Sequence, residues 1–503
     1  MAESILLGVL GKDFGDGVFK YLDPRTLARL ETTFTSELVF IPLGGVQALL
    51  LSVARRRHAE AAEAGATLAV LGEGREGRAT WATELRWIYM AMGRARVGGA
   101  KKMISGGARH SLVTSGKAGG TWSFGGGGEF QQLGHGCRGR EAGPRPQLIE
   151  ALSHVVVRQV AAGIVHSMVR TRDGHVFEWG VGRCGQLGHG DKCDQYVPKR
   201  VEGITNVTDI AAGGAHSLAV VEVGSVYTWG SNYFGQLGLG DHGDDTKLGD
   251  HGDCTSRHVP TEVPGVNEVV AVAAGVRHSF ALSRDGTVMA CGHNIAGQLG
   301  LGDTDDRDTF TVVAGLRGVV DIDAGRGHSI AVTVEGGLYT WGYGRAIGHG
   351  GDHTTQRLVP TKVTGGGIDD AMVVQVAAGD EHSMAKTTTG ELYAWGEGAD
   401  GQLGHGGQEH FAGPRFVDCI EGTVVGMAGG ENHSLLTTAE GRVLVCGMNG
   451  EVQEEDLYGD ELDEPVFVVD CRLGLGVGVG YALTPTTIDQ ITTGQDGEGI
   501  EGI

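Results

Sequence analysis

Residues 161–169 read "AAGIVHSMV". A histidine beside a serine, after a glycine, has the makings of a base and its nucleophile, and equally of a hydrogen-bonded turn. How often the stretch returns decides between them. "SGGARHSLV" ends at Val113, "AAGGAHSLA" at Ala219, "AAGVRHSFA" at Ala281 and "DAGRGHSIA" at Ala331. "AAGDEHSMA" ends at Ala385 and "AGGENHSLL" at Leu436. The histidines are His110, His166, His216, His278, His328, His382 and His433, spaced by 56, 50, 62, 50, 54 and 51 residues. The chain therefore carries one supersecondary unit seven times.

The phase within each unit is tighter than the period. Glycines fall eight and fourteen residues after the histidine in six copies, as at Gly174 and Gly180, while the first copy carries one extra residue. Each unit opens on an apolar strand such as "VVVRQVA", turns at Ala-Gly and continues as "HSMVRTR". A tight turn follows, Asp173-Gly174 in one copy and Asp285-Gly286 in another, where glycine supplies the positive φ of a hairpin. The third strand, "HVFEWG" or "SVYTWG", ends on an aromatic residue and a glycine. A loop carrying "GQLG" leads to a fourth strand near "VPKRVEG". Four short antiparallel strands repeated seven times predict an all-β, seven-bladed propeller.

A catalytic pair is needed once, whereas seven equivalent pairs belong to architecture. All seven histidines are read as buried structural residues that hydrogen-bond a neighbouring turn. Trp179, Trp229, Trp341 and Trp395 share their slot with Cys291 and Cys446. Aromatic or thiol at one slot reads as core filling. No catalytic residue is assigned.

Composition agrees. There are 90 glycines in 503 residues, against a usual share of about 7%, which excludes a fold of long helices. The formal charge is −22, from 40 basic and 62 acidic residues, and disfavours direct nucleic-acid binding. The eight cysteines form no CxxC pair, so no metal site or cofactor is expected. The opening "MAESILLGVLG" lacks the basic lead and long apolar run of a signal peptide. No stretch reaches the roughly 18 to 20 apolar residues of a membrane span. A protein of the cytoplasm or nucleus is the expectation.

"AAGxxHSxAL", "GxVYTWG" and "GQLG", recurring in fixed order at about 50-residue intervals over residues 98–484, resemble the repeats of the regulator-of-chromosome-condensation family. Kelch and Trp-Asp propellers fit worse, the latter running at about 40 to 45 residues per repeat. One branch of the family implies nucleotide exchange on the small GTPase Ran through a wedge on one blade. Another implies ultraviolet sensing through tryptophans beside the repeat histidine, but the residue before each histidine here is never Trp. Other branches are interaction platforms joined to ubiquitin-ligase modules. Copy seven departs late, where "GMNGEVQEEDLYGDELDEP" replaces the Gln-Leu-Gly loop. The following "LGLGVGVGYALT" is expected to close the ring beside the start of the first repeat. Residues 485–503, acidic and Gly-rich, read as a disordered tail.

Residues 1–97 differ in kind. In "FGDGVFKYLDPRTLARLETTFTSELVFIP", Asp23 suits a helix N-cap and Pro24 the first helical position. Leu27, Leu30, Phe34 and Leu38 then recur on one face up to Pro42. The segment resembles an F-box at Leu22, Asp23, Pro24, Leu27, Ala28, Leu30 and Phe34, although the opening Leu-Pro and the later Trp-Arg of that module are missing. The resemblance implies a Skp-type adaptor and a cullin as partners, with Leu22, Pro24, Leu27, Leu30 and Phe34 as the adaptor-binding residues. A plain helical cap on the propeller is the other reading. The insertion "LGDHGDDTKLGDHGD" reads as a slipped duplication in a solvated loop rather than a cation site, and "ARRRH" at 54–58 as a solvated helix face. The expected function is a non-catalytic interaction propeller acting as substrate receptor of a ubiquitin ligase. A guanine-nucleotide exchange factor and a plain scaffold are the alternatives.

Overall fold

The second repeat supplies the pattern for the rest. Val157–Ala162, His166–Thr171, Val176–Gly180 and Gln195–Arg200 pair in that order as one antiparallel sheet. The second strand is flanked by a sheet neighbour on each edge and by another blade on each face, so nearly all of it is buried. The third strand alternates, with Phe177 half-buried and Trp179 at 0% exposure. The fourth, on the rim, is polar and largely exposed, as suits an edge that must not recruit another chain. Gly174 closes the hairpin at φ 75°. A Cβ there would lie 2.8 Å from the Asn206 Cα, so both backbone sign and space demand glycine.

The computed structural model describes residues 103–126, 132–136, 146–241, 256–351, 353–420, 422–439 and 441–448, and the backbone of Tyr481–Thr486. These residues form seven four-stranded sheets, each drawn from strands consecutive in sequence. The inner strands of blades 3 to 6 are Val207–Ala212, Val269–Ala274, Val319–Ala324 and Val373–Ala378. Blade 1 is Ile104–Gly106, His110–Thr114, Thr121–Gly125 and Gln147–Leu148; blade 7 is Val424–Gly429, His433–Thr438, Val443–Met448 and Tyr481–Thr486. The core lies between blades. Met168, Val176 and Val201 of blade 2 pack on Ile210, Ala219 and Trp229 of blade 3, an arrangement that flat sheets achieve only by radial stacking.

Two expectations change. Tyr481–Thr486 is the outer strand of blade 7, paired with Val443–Met448, and does not lie beside the first repeat. It runs two residues past 484 and includes Pro485, a residue that sheets accept on edge strands. The ring closes through the inner strand of blade 1, which packs on blade 7. Ile104, Val113 and Phe124 meet Ala428, Leu435 and Val445 there, and the Glu431 N–H donates to the Gly107 carbonyl at 3.1 Å. The helical F-box-like region 1–97, most of the tail and the insertion between Asp241 and Ser256 lie outside the described residues.

Candidate functional site: the interblade ring and the loop face

Each repeat places its histidine at the start of the second strand, opposite the last glycine of the third, as His166 faces Gly180. The Ala-Gly turn and the loop after the third strand, which carries Gln-Leu-Gly in blades 1 to 4 and 6, therefore share one end of the blade. The seven histidines are 0 to 1% exposed. Their side-chain partner is not the neighbouring turn but the serine of the next repeat. His110 Nε2 lies 2.8 Å from Ser167 Oγ, His166 3.0 Å from Ser217, His216 2.9 Å from Ser279 and His278 3.2 Å from Ser329. His328 is 2.9 Å from Ser383 and His382 2.7 Å from Ser434. His433 completes the circle at 2.9 Å from Ser111.

The direction of each bond follows from the serine. In six blades Ser Oγ donates to the carbonyl of the preceding blade's loop: Ser167 to Gln132, Ser217 to Gln186, Ser279 to Gln236, Ser329 to Gln298, Ser383 to Ala346 and Ser434 to Gln402, at 2.7 to 3.0 Å. A hydroxyl has one proton, so it must accept from the imidazole. The six histidines that face these serines, His110, His166, His216, His278, His328 and His382, are thus Nε2–H tautomers. A serine that already gives its proton to a carbonyl cannot pass it to the ring, so these pairs are not nucleophiles with bases. Burial holds His110, His166, His278 and His382 down to about 3, and His216, His328 and His433 to about 4.

The same loop carbonyl takes a second donor from the slot shared by tryptophan and cysteine. Trp179 Nε1 donates to Gln132 O at 2.7 Å, Trp341 to Gln298 O at 2.8 Å and Trp395 to Ala346 O at 2.8 Å. Cys291 reaches Gln236 O at 3.5 Å and Cys446 reaches Gln402 O at 3.4 Å. Burial pushes the Cys446 thiol up to about 12, so it keeps the proton it donates. Core filling alone missed this; that both residue types carry a donor was the available signal. In the first copy the slot holds Phe124, which has no donor.

Trp229 is the exception. Its indole donates to Glu178 Oε2 of blade 2 at 3.0 Å. Glu178 is fully buried. Burial pushes its carboxyl up to about 8 against the pull of the Trp229 hydrogen bond, so at neutral pH it is protonated. Sequence reading did not single it out, because one acidic residue in a polar-tolerant strand breaks no pattern.

The inner strands surround a cavity of about 210 Å³ lined by their Ala-Gly ends. Carboxylates here cover the open backbone edge of the next blade. Asp209 accepts the Val272 N–H at 3.1 Å, Asp321 the Val376 N–H at 3.0 Å and Asp323 the Ala378 N–H at 3.3 Å. Asp380, at the mouth, is pushed up to about 7 by burial and by Glu431. Among the described residues no group of three His, Cys, Asp or Glu could hold a metal, and no helix is long and apolar enough to cross a membrane. The adaptor-binding candidates Leu22, Pro24, Leu27, Leu30 and Phe34 lie outside the described residues.

Comparison with known proteins follows the repeat. A family model for the RCC1-like domain matches residues 194–421, and one for the regulator of chromosome condensation (RCC1) repeat matches residues 118–170. The ultraviolet-B receptor UVR8 of Arabidopsis thaliana is 34% identical over 369 residues, 72% of this chain and 68% of the receptor. The human E3 ubiquitin-protein ligase HERC2 is 33% identical over 342 residues, 67% of this chain but 6% of the ligase. Among solved structures, human WBSCR16 superposes with a TM-score of 0.57 at 26% identity, covering 67% of this chain and 86% of that one. Prp20p of Saccharomyces cerevisiae, described with its binding to Gsp1p and histones, gives 0.55 at 25% identity, covering 70% and 83%.

Proposed function

Because this chain belongs to the family of regulator-of-chromosome-condensation repeat propellers, we propose that it is a non-catalytic interaction platform whose N-terminal region recruits a ubiquitin ligase. One observation carries the platform reading. Seven histidine–serine pairs and six loop carbonyls are consumed in joining blades, which leaves the variable loop residues to face partners. Binding to proteins is then the activity, and chemistry belongs to what is bound.

The ligase half rests on Leu22, Pro24, Leu27, Leu30 and Phe34, the F-box-like strip, with a Skp-type adaptor and a cullin as partners. That a relative is an E3 ubiquitin-protein ligase is consistent with this half, although the chain spans a small part of it. We place the protein in the cytoplasm or nucleus because its scattered, unpaired cysteines suit a reducing compartment. Co-purification of a Skp-type adaptor with the full chain, compared with a Leu27→Asp, Leu30→Asp double variant, is the test. An adaptor retained by wild type and lost by the variant at unchanged melting temperature supports the strip. A wild-type chain that never captures the adaptor removes the ligase half and leaves the scaffold.

The second reading is exchange on a small GTPase, favoured by the likeness to Prp20p. The longest insertion, 240–254, is acidic and Gly-rich, unlike a stiff wedge that could displace phosphate or magnesium contacts. Release of a labelled guanine nucleotide from Ran should be unchanged by this protein. A many-fold acceleration would reverse the order of the two readings.

A further inference from the structure

Within the platform reading, on which this proposal rests, the loop face is not uniform. After the third strand, corresponding positions hold Arg183-Cys184 in blade 2 and Ala399-Asp400 in blade 6, while the blade 5 loop is two residues shorter and omits them. Blades 3 and 4 hold Tyr233-Phe234 and Ile295-Ala296 instead. Tyr233 meets Phe234 edge-on at 4.8 Å, and Phe234 lies 4.4 Å from the His293 ring of the next blade. Ile295 is 70% exposed. The repeat does not need these residues, since its joints close equally well without them in the other blades.

We infer that this ledge of Phe234, Ile295 and Arg277 is a docking site for a partner segment that carries a single carboxylate set among apolar side chains. Three features lead there. Arg277 is exposed and lies with its guanidinium 5.0 Å from the centre of the Phe234 ring. The neighbouring cations are already used, Arg257 by Asp241 and Arg307 by Asp303 at 2.6 Å each, whereas Arg277 meets no carboxylate among the described residues. A guanidinium held on an aromatic face keeps its donor fork turned outward for an incoming carboxylate.

The ledge is also stiff. Asn232, fully buried, accepts the Leu237 N–H at 2.9 Å and donates to the Asp241 carbonyl at 2.7 Å. Asn294 does the same for Leu299 and Asp303 in blade 4. The Phe234 N–H is tied to Gln236 Oε1 at 2.9 Å. Little ordering remains to oppose binding. Aromatic and Arg residues are also the types that dominate interface energetics. The net charge of −22 limits the partner's chemistry. A run of acids would be repelled at long range, so the carboxylate must be isolated and its neighbours apolar.

A phage-displayed library of random dodecapeptides, selected on the full chain, tests this. Enriched peptides should share one Asp or Glu flanked by aromatic or branched aliphatic residues. Their affinity should fall about tenfold or more in each of Phe234→Ala, Arg277→Glu and Ile295→Asp. Ile295 is exposed, so its variant tests the surface without the risk of a folding defect. Peptides that bind all three variants as tightly as wild type, peptides enriched in Lys or Arg, or no enrichment at all would each overturn the proposal. Binders that appear only after residues 243–253 are deleted would overturn it too, by showing that the chain's own acidic loop occupies the ledge. None of these outcomes bears on adaptor capture, so the proposal fails separately from the platform reading.

Discussion

Acidification should open the ring, and the structure sets by how much. The seven repeat histidines titrate at about 3 to 4 in the fold but near 6.5 once unfolded. Between those values the unfolded chain binds more protons, so stability falls as pH falls below 6.5. At pH 5.5 each exposed histidine gains about 1.4 kcal/mol by protonation, and the seven together lose the fold about 9 kcal/mol relative to pH 7. Two carboxyls work the other way. Glu178, at about 8, and Asp380, at about 7, hold protons in the fold that they release on unfolding; they return about 4 kcal/mol over the same range. The net loss is about 5 kcal/mol, with a net uptake of about four protons at pH 5.5. His135, His189, His293, His349 and His405, all held low by burial, push the same way. A loss of that size is comparable with the whole stability of many domains. Urea unfolding followed by tryptophan fluorescence, repeated from pH 7.5 to 5, gives stability against pH, and its slope counts the protons. A flat profile between pH 7 and 5.5, or an uptake of one proton or fewer, would refute the reasoning.

Other perturbations have different signs. Glu178→Gln keeps the shape and the acceptor for Trp229 while removing the titration; it should stabilise the protein at pH 8 and remove a stability loss of about 1.4 kcal/mol per pH unit as pH rises from 5 to 8, read by urea unfolding extended to pH 8. Ser329→Ala leaves the His278 N–H and the Gln298 carbonyl each short of a partner and should cost about 1–3 kcal/mol by chemical denaturation, with no loss of peptide or adaptor binding. Trp341→Phe removes one donor to Gln298 and should destabilise, whereas Phe124→Leu, at a slot with no donor to lose, should cost only its packing; melting temperatures of the two variants distinguish these. Nitrogen-15 shifts of the seven histidines should report neutral rings unchanged from pH 8 to 6.5, with Nε2–H tautomers at the six whose serines donate to a loop carbonyl, and any one titrating near 6.5 contradicts its burial.

The strand plan was legible because each repeat solves the same problem, so Gly174, Asp285-Gly286 and the Trp-Gly ends recur in phase and average out local noise. What joins the blades was not. His433 finds its serine 322 residues earlier in the chain, and no window of sequence contains both. The partner of a repeat histidine could be named only once the ring closed. Glu178 stayed hidden for the opposite reason, since a feature that occurs once has no period to reveal it. The ledge of Phe234 and Ile295 was equally silent, because an aromatic residue in a loop gains meaning only from the Arg277 of the following blade. Residues 22–34 carry a helical pattern whose surroundings lie outside the described residues.

The joint between blades has a further consequence for how such chains change. Every repeat offers a histidine forward and a serine backward, so any copy can follow any other. The coupling itself places no limit on how many copies a circle contains. The number seven must be set elsewhere, by the wedge angle that the small inner residues and bulky outer ones impose on neighbouring sheets. A chain that lost one whole repeat would keep a partner for every remaining histidine and would instead suffer in curvature. Internal duplication therefore offers such a gene a route to new rings in which the hydrogen-bonded couplings are inherited intact and only geometry has to be retuned.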